Sequence, residues 1–528
     1  MSALRSMARG RPSRIAEPLT IRRGLHEAPA FYFKDRSRGR MTLIRNGTVV
    51  DGTGGPARRA DVLVSEGRIA AVGAIPRAPD GATAYDASGA IVAPGFIDAH
   101  THDDVAVLEG SAGDSGSNAA KLSQGATTVV VGNCGFSLAP WTPRPGRLEP
   151  PPPLGILGGA ERFVFPGFPA YFEALARADA LADGRASGHT VVLCGHSSLR
   201  AARVADLGAP ARPGELAAME RDLEEALDAG CAGLSAGLAY PAALASSAAE
   251  VTALARIAFR RGKVFAIHLR NEYDGVWAAL DEAFAIAREA IGASAEPGAR
   301  LVLSHQKCAG PGNRGRADEL LSRIDRAARD IPLAFDAYPY DAGSTMLEAE
   351  SARASRRVIV TWSRPHPELA GLDLREAADR LGLDPDDALE ALKPGGGAYF
   401  HMDEADVDAI LSHPLCMVGS DGLPADASPH PRLYGTFPRY LSRMVRDRRL
   451  LSLEEAVRKA TSLPASVFSL PGKGVIREGA DADIVVFRPD ALADLATWQE
   501  PLRYSVGVDL ALRGGVVAWG ASGVSPLR

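Results

Sequence analysis

The chain is short of several features that would each announce a class of protein. Its 528 residues hold five cysteines, Cys134, Cys194, Cys231, Cys308 and Cys416, with no close pair among them. An odd count at wide spacing makes no disulfide framework and fits a reducing cytoplasm. Charge is almost balanced, 59 Lys and Arg against 64 Asp and Glu for a net charge of -5, so composition offers no basic surface for nucleic acid. Apolar runs suited to a membrane are missing too. The long uncharged stretch from Cys231 to Ala249 is broken by Gly233, Gly237 and Pro241 and is rich in Ala and Ser. It reads as a buried strand, a loop and a helix start. Residues 1–40 are Arg-rich and aperiodic and lack the apolar core of a secretory signal. We expect them to be a disordered extension, or the product of an initiation site assigned too early, rather than an organelle-targeting peptide.

What is present is an alternation of short apolar runs. Between 41 and 92 they are β-branched and bounded by Gly and Asp, as in Met41-Thr-Leu-Ile-Arg-Asn-Gly47 and Asp61-Val-Leu-Val64. The same texture returns near the other end, in Asp483-Ile-Val-Val-Phe487 and in Leu510-Ala-Leu-Arg513. Short strands with Gly turns predict a small β-sandwich, built from 41–92 together with 473–528. The middle, 93–472, must then fold between its two halves. There, eight apolar strands are expected at 95–100, 127–134, 190–196, 233–237, 264–270, 301–307, 333–338 and 416–421, most followed by a helical pattern. Apolar strands separated by helices predict a parallel sheet covered on both faces. Eight of them predict an α/β chain with a closed (β/α)8 barrel. The long gap before the last strand, 341–415, reads as an insertion with helices at Leu374–Leu381 and Glu404–Leu411.

Nearly every one of these strands ends in a polar or metal-binding side chain, and the C-terminal ends of barrel strands are where active sites form. A lone His after an apolar strand is more often structural. Of only eleven His in the chain, however, four (His100, His102, His268 and His305) fall at strand ends, and Cys134 and Asp421 hold equivalent places. In the extended segment His100-Thr-His102 the two imidazoles point the same way, so both can reach one ion. Cys134 could by itself be a buried apolar residue, and Asp421 a helix cap. Beside four histidines both read better as functional groups.

With Val92-Ala-Pro-Gly-Phe-Ile-Asp98 leading into His100, the chain resembles the amidohydrolase superfamily. That superfamily carries a His pair after the first barrel strand, single His residues after the fifth and sixth, and an Asp after the eighth. Many of its binuclear members use a modified Lys on strand four. Here strand four offers Ser235 and no Lys, while Gly132-Asn-Cys-Gly135 closes strand two. In this the chain is similar to the D-aminoacylase (N-acyl-D-amino-acid deacylase) family. The similarity runs nearly throughout from Met41 onward, through Gly195-His-Ser-Ser-Leu-Arg200, His268-Leu-Arg-Asn-Glu272, Ser304-His-Gln-Lys307, Tyr338-Pro-Tyr-Asp-Ala-Gly-Ser-Thr345 and His430-Pro-Arg-Leu-Tyr434.

The resemblance implies a metal-dependent hydrolase barrel and a division of labour within it. One zinc would be tightly held by Cys134, His268 and His305, with a second, weaker divalent metal at His100 and His102. Asp421 would act as general base and then as acid toward the departing amine. Lys307, Tyr338, Ser344 and Arg432 would bind the substrate carboxylate. The implied reaction is zinc-dependent hydrolysis of N-acyl-D-amino acids; the D-configuration follows from the resemblance alone. The segment 341–349 contains no Lys or Arg. Met346 and Leu347 could pack on an aliphatic chain, and Glu348 would repel a carboxylate if it faced inward. We therefore expect neutral or hydrophobic D-amino acids to be preferred. The alternatives are an N-acyl-D-glutamate or N-acyl-D-aspartate deacylase, a cyclic amidohydrolase of the hydantoinase or dihydropyrimidinase type, and a non-catalytic scaffold. The missing strand-four Lys counts against the cyclic reading, and the full ligand set against the scaffold. A cytoplasmic enzyme acting on a small molecule, without nucleic acid or membrane, is the expectation.

Overall fold

The structure is a computed structural model and describes residues 41–109, 117–181, 188–292 and 295–520. The expectation for residues 1–40 lies outside the described residues. Eight strands, Phe96–Asp98, Ala126–Val131, His189–Gly195, Gly233–Gly237, Val264–His268, Arg300–Leu303, Leu333–Ala337 and Cys416–Val418, pair side by side in chain order. Every neighbouring pair is parallel. The last strand returns to the first: Ala99 N–H donates to Val418 O at 3.1 Å and Asp421 N–H to His100 O at 2.8 Å.

The strands are buried on both faces, which is why they read as unbroken apolar runs rather than alternating ones. Ile97, Val130, Leu193, Ala266, Val302, Ala334 and Met417 point into the barrel and form one core. The residues between them, such as Val129, Val192, Leu234, Phe265, Leu301 and Phe335, belong to a second core shared with the surrounding helices. Helices such as Ala248–Arg260 and Val276–Ile291 supply its outer side, with Leu254, Ala258, Leu280 and Ala287 buried.

The two ends of the described chain meet in one eight-stranded sheet. Ile91–Pro94 lies between Met41–Val49, to which it is parallel, and Ile484–Phe487, to which it is antiparallel. Met41–Val49 changes partner along its length, pairing with Thr83–Asp86 through 42–45 and with Ile91–Pro94 through 48–49. The sheet encloses a core of its own, Ile44, Val49, Val62, Ile69, Val92, Ile484 and Leu512. The two ends thus form together the small β unit that the sequence predicts, its strands hydrogen-bonded continuously around a packed core.

The segment before the last barrel strand holds the expected helices, Leu374–Leu381 and Glu404–Ser412. It also holds an antiparallel sheet, with Gly395–Tyr399 between Gly343–Met346 and Val358–Ser363. Its middle strand opens Gly395-Gly-Gly, which carries no side-chain pattern. The glycine is there for packing: a Cβ on Gly396 would stand 2.4 Å from Trp362 Nε1. Among the described residues no helix is long and apolar enough to cross a membrane.

Candidate active site

The strand ends converge. His100, His102, Cys134 and Asp421 place one ligand atom each within 4.8 Å of one another, and so do Cys134, His268 and His305. Cys134 belongs to both groups. Its Sγ lies 3.2 Å from His100 Nε2 and 3.3 Å from His305 Nε2. Asp421 Oδ1 lies 3.1 Å from His102 Nε2 and 3.6 Å from His100 Nε2. All six residues are buried.

The backbone is strained at three of these six. Cys134 (φ 53°), His305 (φ 34°) and Asp421 (φ 50°) are left-handed, a conformation shared by only four other non-glycine residues among those described. Such strain is kept where the surroundings over-determine it, and it clusters at working sites.

Carboxylates behind the donors hold them in place. Asp336, on the seventh strand, accepts from His100 Nδ1 at 3.2 Å and from the His305 N–H at 2.9 Å. Glu272 Oε1 takes Lys307 Nζ at 2.5 Å and lies 3.2 Å from His305 Nδ1. Such partners fix the orientation and tautomer of a ligating imidazole. Burial would raise the Cys134 thiol, but charge on His100 and His305 and hydrogen bonds from His100 and His102 hold it well below its usual range. Burial would likewise raise Asp421, but Arg432 and His102 hold it well below the usual carboxylate range, so it is ionised at neutral pH. A thiolate flanked by imidazoles and a carboxylate is a donor set that suits zinc. His102 Nδ1 and His268 Nδ1 are buried without a protein partner.

The donors open onto a cavity lined by Lys307, Tyr338 and Ser344, three of the four residues expected to bind a carboxylate. Arg432 comes from behind. Fully buried, it sets Nη2 3.0 Å from Asp421 Oδ2 and 3.3 Å from Ser344 O, with its guanidinium 4.6 Å above the Tyr338 ring. Its Nε and Nη1 have no protein partner, and the side chain does not itself line the cavity. Phe136, Ile156, Leu244 and Leu423 make an apolar side to the cavity; Tyr273, Glu348, Glu350, Ser351 and His401 make a polar one.

Met346 and Leu347 do not take the place expected of them. Leu347 packs into the insertion's own core with Val358, Val360 and Leu392, and Met346 packs against the main core. Leu347 turns to the insertion's core, and its chain neighbour Glu348 lines the cavity. Asp336 and Glu272 are the functional groups that sequence reasoning left without a role. The signal was a lone carboxylate inside the apolar strand Leu333-Ala-Phe-Asp-Ala337, and a Glu four residues beyond His268.

Residues 83–518 match the model of the amidohydrolase family. Three relatives from Alcaligenes xylosoxydans xylosoxydans are similar over nearly their whole lengths. An N-acyl-D-glutamate deacylase is 45% identical, covering 90% of this chain and 92% of the relative. An N-acyl-D-aspartate deacylase is 43% identical, covering 90% and 91%. A D-aminoacylase is 42% identical, covering 90% and 94%. Among solved structures, the N-acyl-D-glutamate deacylase of Bordetella bronchiseptica, complexed with zinc and a phosphonate mimic of the tetrahedral intermediate, superposes with a TM-score of 0.83 at 45% identity. It covers 92% of this chain and 98% of that one. A D-aminoacylase studied for its binuclear metal centre, with one-metal activation and second-metal attenuation, also gives 0.83, at 40% identity over 92% and 97%.

Proposed function

The chain belongs to the amidohydrolase family, in its D-aminoacylase branch, and from that premise we propose that it hydrolyses N-acyl-D-amino acids to a carboxylate and a free D-amino acid, preferring neutral side chains to acidic ones. The observation that carries the reading is the convergence of Cys134, His268 and His305 at the floor of a cavity whose wall bears Lys307 and Tyr338.

Cys134, His268 and His305 would hold the principal zinc, and His100 and His102, with Asp421 beside them, a second metal. When bound there, zinc supplies Lewis-acid polarisation of the amide carbonyl and of water. The chain's own groups do the rest. Lys307, Tyr338, Ser344 and Arg432 fix the α-carboxylate and so set which face of the amide meets Asp421. The ionised Asp421 accepts a proton from the attacking water and returns it to the leaving nitrogen. Arg432, on the other oxygen of Asp421, keeps that carboxylate aimed.

The preference for neutral side chains rests on the charges of the cavity. Lys307 is paired with Glu272, and Arg270 with Glu282 at 2.9 Å. Glu348 and Glu350 face the same space. A second substrate carboxylate would therefore meet carboxylates. A cytoplasmic location belongs to the same proposal, supported by five buried cysteines, all free thiols.

The test is amine release from a panel of N-acetyl-D- and N-acetyl-L-amino acids, with hydantoins alongside. Turnover of the D-compounds is expected. Faster turnover of L-compounds or of hydantoins would refute the reaction, and faster turnover of N-acetyl-D-glutamate than of N-acetyl-D-methionine would refute the preference.

A further inference from the structure

Cys134 sits in a loop whose shape its own backbone does not favour. Gly132 (φ 77°), Cys134 (φ 53°) and Gly135 (φ 83°) are all left-handed. The loop is pressed against the neighbouring strands: a Cβ on Gly132 would stand 2.1 Å from Leu193 O, and one on Gly135 2.6 Å from Gly237 N. Glycine permits both approaches, but permission does not choose one conformation. Something must bind the ends of the turn together.

Ser235, in the middle of the fourth barrel strand and 1% exposed, does this. Its Oγ accepts from the Gly135 N–H at 3.0 Å and donates to Gly132 O at 2.5 Å. One hydroxyl therefore spans the residues on either side of Asn133-Cys134 and uses both its donor and its acceptor. The backbone adds one short bond over the same turn, from the Phe136 N–H to Asn133 O at 3.1 Å, while the other side-chain contacts of this region lie to one side. Asn133 Nδ2 donates to Val130 O at 2.9 Å, before the turn, and Ser198 Oγ takes the Ser137 N–H at 2.8 Å, after it. Among these side-chain contacts Ser235 is the one that closes the loop across Cys134, tying Gly132 to Gly135.

We propose that Ser235 is a positioning residue for the Cys134 thiolate, setting where Sγ stands relative to His268 and His305. Without this clasp the left-handed Cys134 relaxes and its Sγ leaves the point where the three donors meet. The inference rests on the proposed zinc role of Cys134. It adds that strand four serves the metal through the backbone of strand two's loop rather than by a ligand of its own.

The test measures zinc affinity by competition with a chromogenic chelator in four proteins: wild type, Ser235→Ala, Cys134→Ala and the double variant. The melting temperature of each zinc-stripped protein is measured alongside. Ser235→Ala should weaken zinc roughly 10- to 100-fold, the scale of losing a partner that orients a ligand. In the Cys134→Ala background the same change should cost less than about twofold, because there is no thiolate left to place. At zinc concentrations that saturate Ser235→Ala, kcat should recover more than KM changes. The equal-volume pair Ser235→Thr, which keeps the hydroxyl, and Ser235→Val, which lacks it, repeats the comparison if Ser235→Ala does not fold; zinc should stay tight in the first and weaken in the second. Unchanged zinc affinity in Ser235→Ala, or an equal loss in both backgrounds, overturns the positioning role while leaving the zinc role of Cys134 intact. Wild-type zinc affinity in Cys134→Ala overturns both.

Discussion

Two buried clusters of titratable side chains stand at the same end of the barrel, and they are built in opposite ways. In one, Glu250 accepts from His196 at 2.8 Å, from Arg200 Nη1 at 2.6 and 2.7 Å and from the Ala211 N–H at 3.0 Å. Arg200 gives its remaining donors to the carbonyls of Ala242, Leu207 and Ala209. Apart from His196 Nδ1, the cluster is closed on itself. In the other, thiol, imidazoles and carboxylate crowd together on strained backbone. Nitrogens of His102, His268 and Arg432 are left without partners, and the cluster opens on a cavity. A saturated network holds a fold; one that leaves buried polar atoms unmet, where a metal and a substrate can meet them, performs chemistry. Removing a residue from the first should cost stability, and removing one from the second should cost activity.

The largest effect should come from Cys134, which both groups of metal donors share. Cys134→Ala should abolish tight zinc binding and nearly all turnover, whereas His100→Ala should reduce zinc content less; metal analysis of the purified proteins checks both. Next is Asp421→Asn, which should lower kcat roughly 10²- to 10⁴-fold, as for loss of a positioned acid–base group, with zinc still bound. Steady-state kinetics beside metal analysis separates the two variants. Full zinc and full turnover in Cys134→Ala would erase the contrast between the clusters.

The barrel was legible because parallel strands buried on both faces leave apolar runs of recognisable length. The donors were legible because they follow those runs directly. What strand ends cannot display is the backbone that aims them. The left-handed φ of Cys134 or His305 has no signature in residue type. Nor does Ser235, an ordinary small residue in Gly233-Leu-Ser-Ala-Gly237, announce hydrogen bonds to residues about a hundred positions away. The sheet of the insertion stayed hidden because its middle strand opens with three glycines. The cavity wall was misassigned for a related reason: which face Met346, Leu347 and Glu348 present depends on that unseen sheet.

The closed cluster can be tested with acid. Burial would raise Glu250, but hydrogen bonds and charge from His196 and Arg200 lower it from 4.5 to about 2. A carboxylate with a depressed folded-state pKa stabilises the fold above its unfolded pKa, and that contribution disappears as the pH falls from about 4.5 through 2. The shift corresponds to roughly 3 kcal/mol. Glu250→Gln should therefore lower stability at pH 7 by about 3 kcal/mol or somewhat more, because Arg200 is left buried without its counter-charge. Its denaturation midpoint should also depend less on pH below 4.5. Its kcat per folded molecule should match the wild type. Urea unfolding at several pH values, with kinetics on the same samples, measures all three; a large fall in kcat would move this cluster into the catalytic group.

The smallest effect belongs to Glu348, where the open cluster meets the substrate side chain. Glu348 lines the cavity, and its hydrogen-bond partner there is the Ser351 hydroxyl, at 3.4 Å from Oε2. Burial raises its pKa above the usual carboxylate value, so its charge weakens as the pH drops toward mild acid. If this carboxylate helps turn away acidic substrates, Glu348→Gln should raise kcat/KM for N-acetyl-D-glutamate relative to N-acetyl-D-methionine. The gain is a few-fold: one like charge across a partly solvated cavity is worth about 1 kcal/mol, near a factor of five. The wild-type discrimination between these two substrates should itself narrow as the pH falls through the range in which this raised carboxyl takes up its proton, and in Glu348→Gln that pH dependence should flatten. Measuring the ratio of the two kcat/KM values, rather than either alone, cancels the titration of groups that act on both substrates. A ratio that neither the substitution nor the pH moves would show that the selecting charge lies elsewhere on the wall, with Glu350 the next to change.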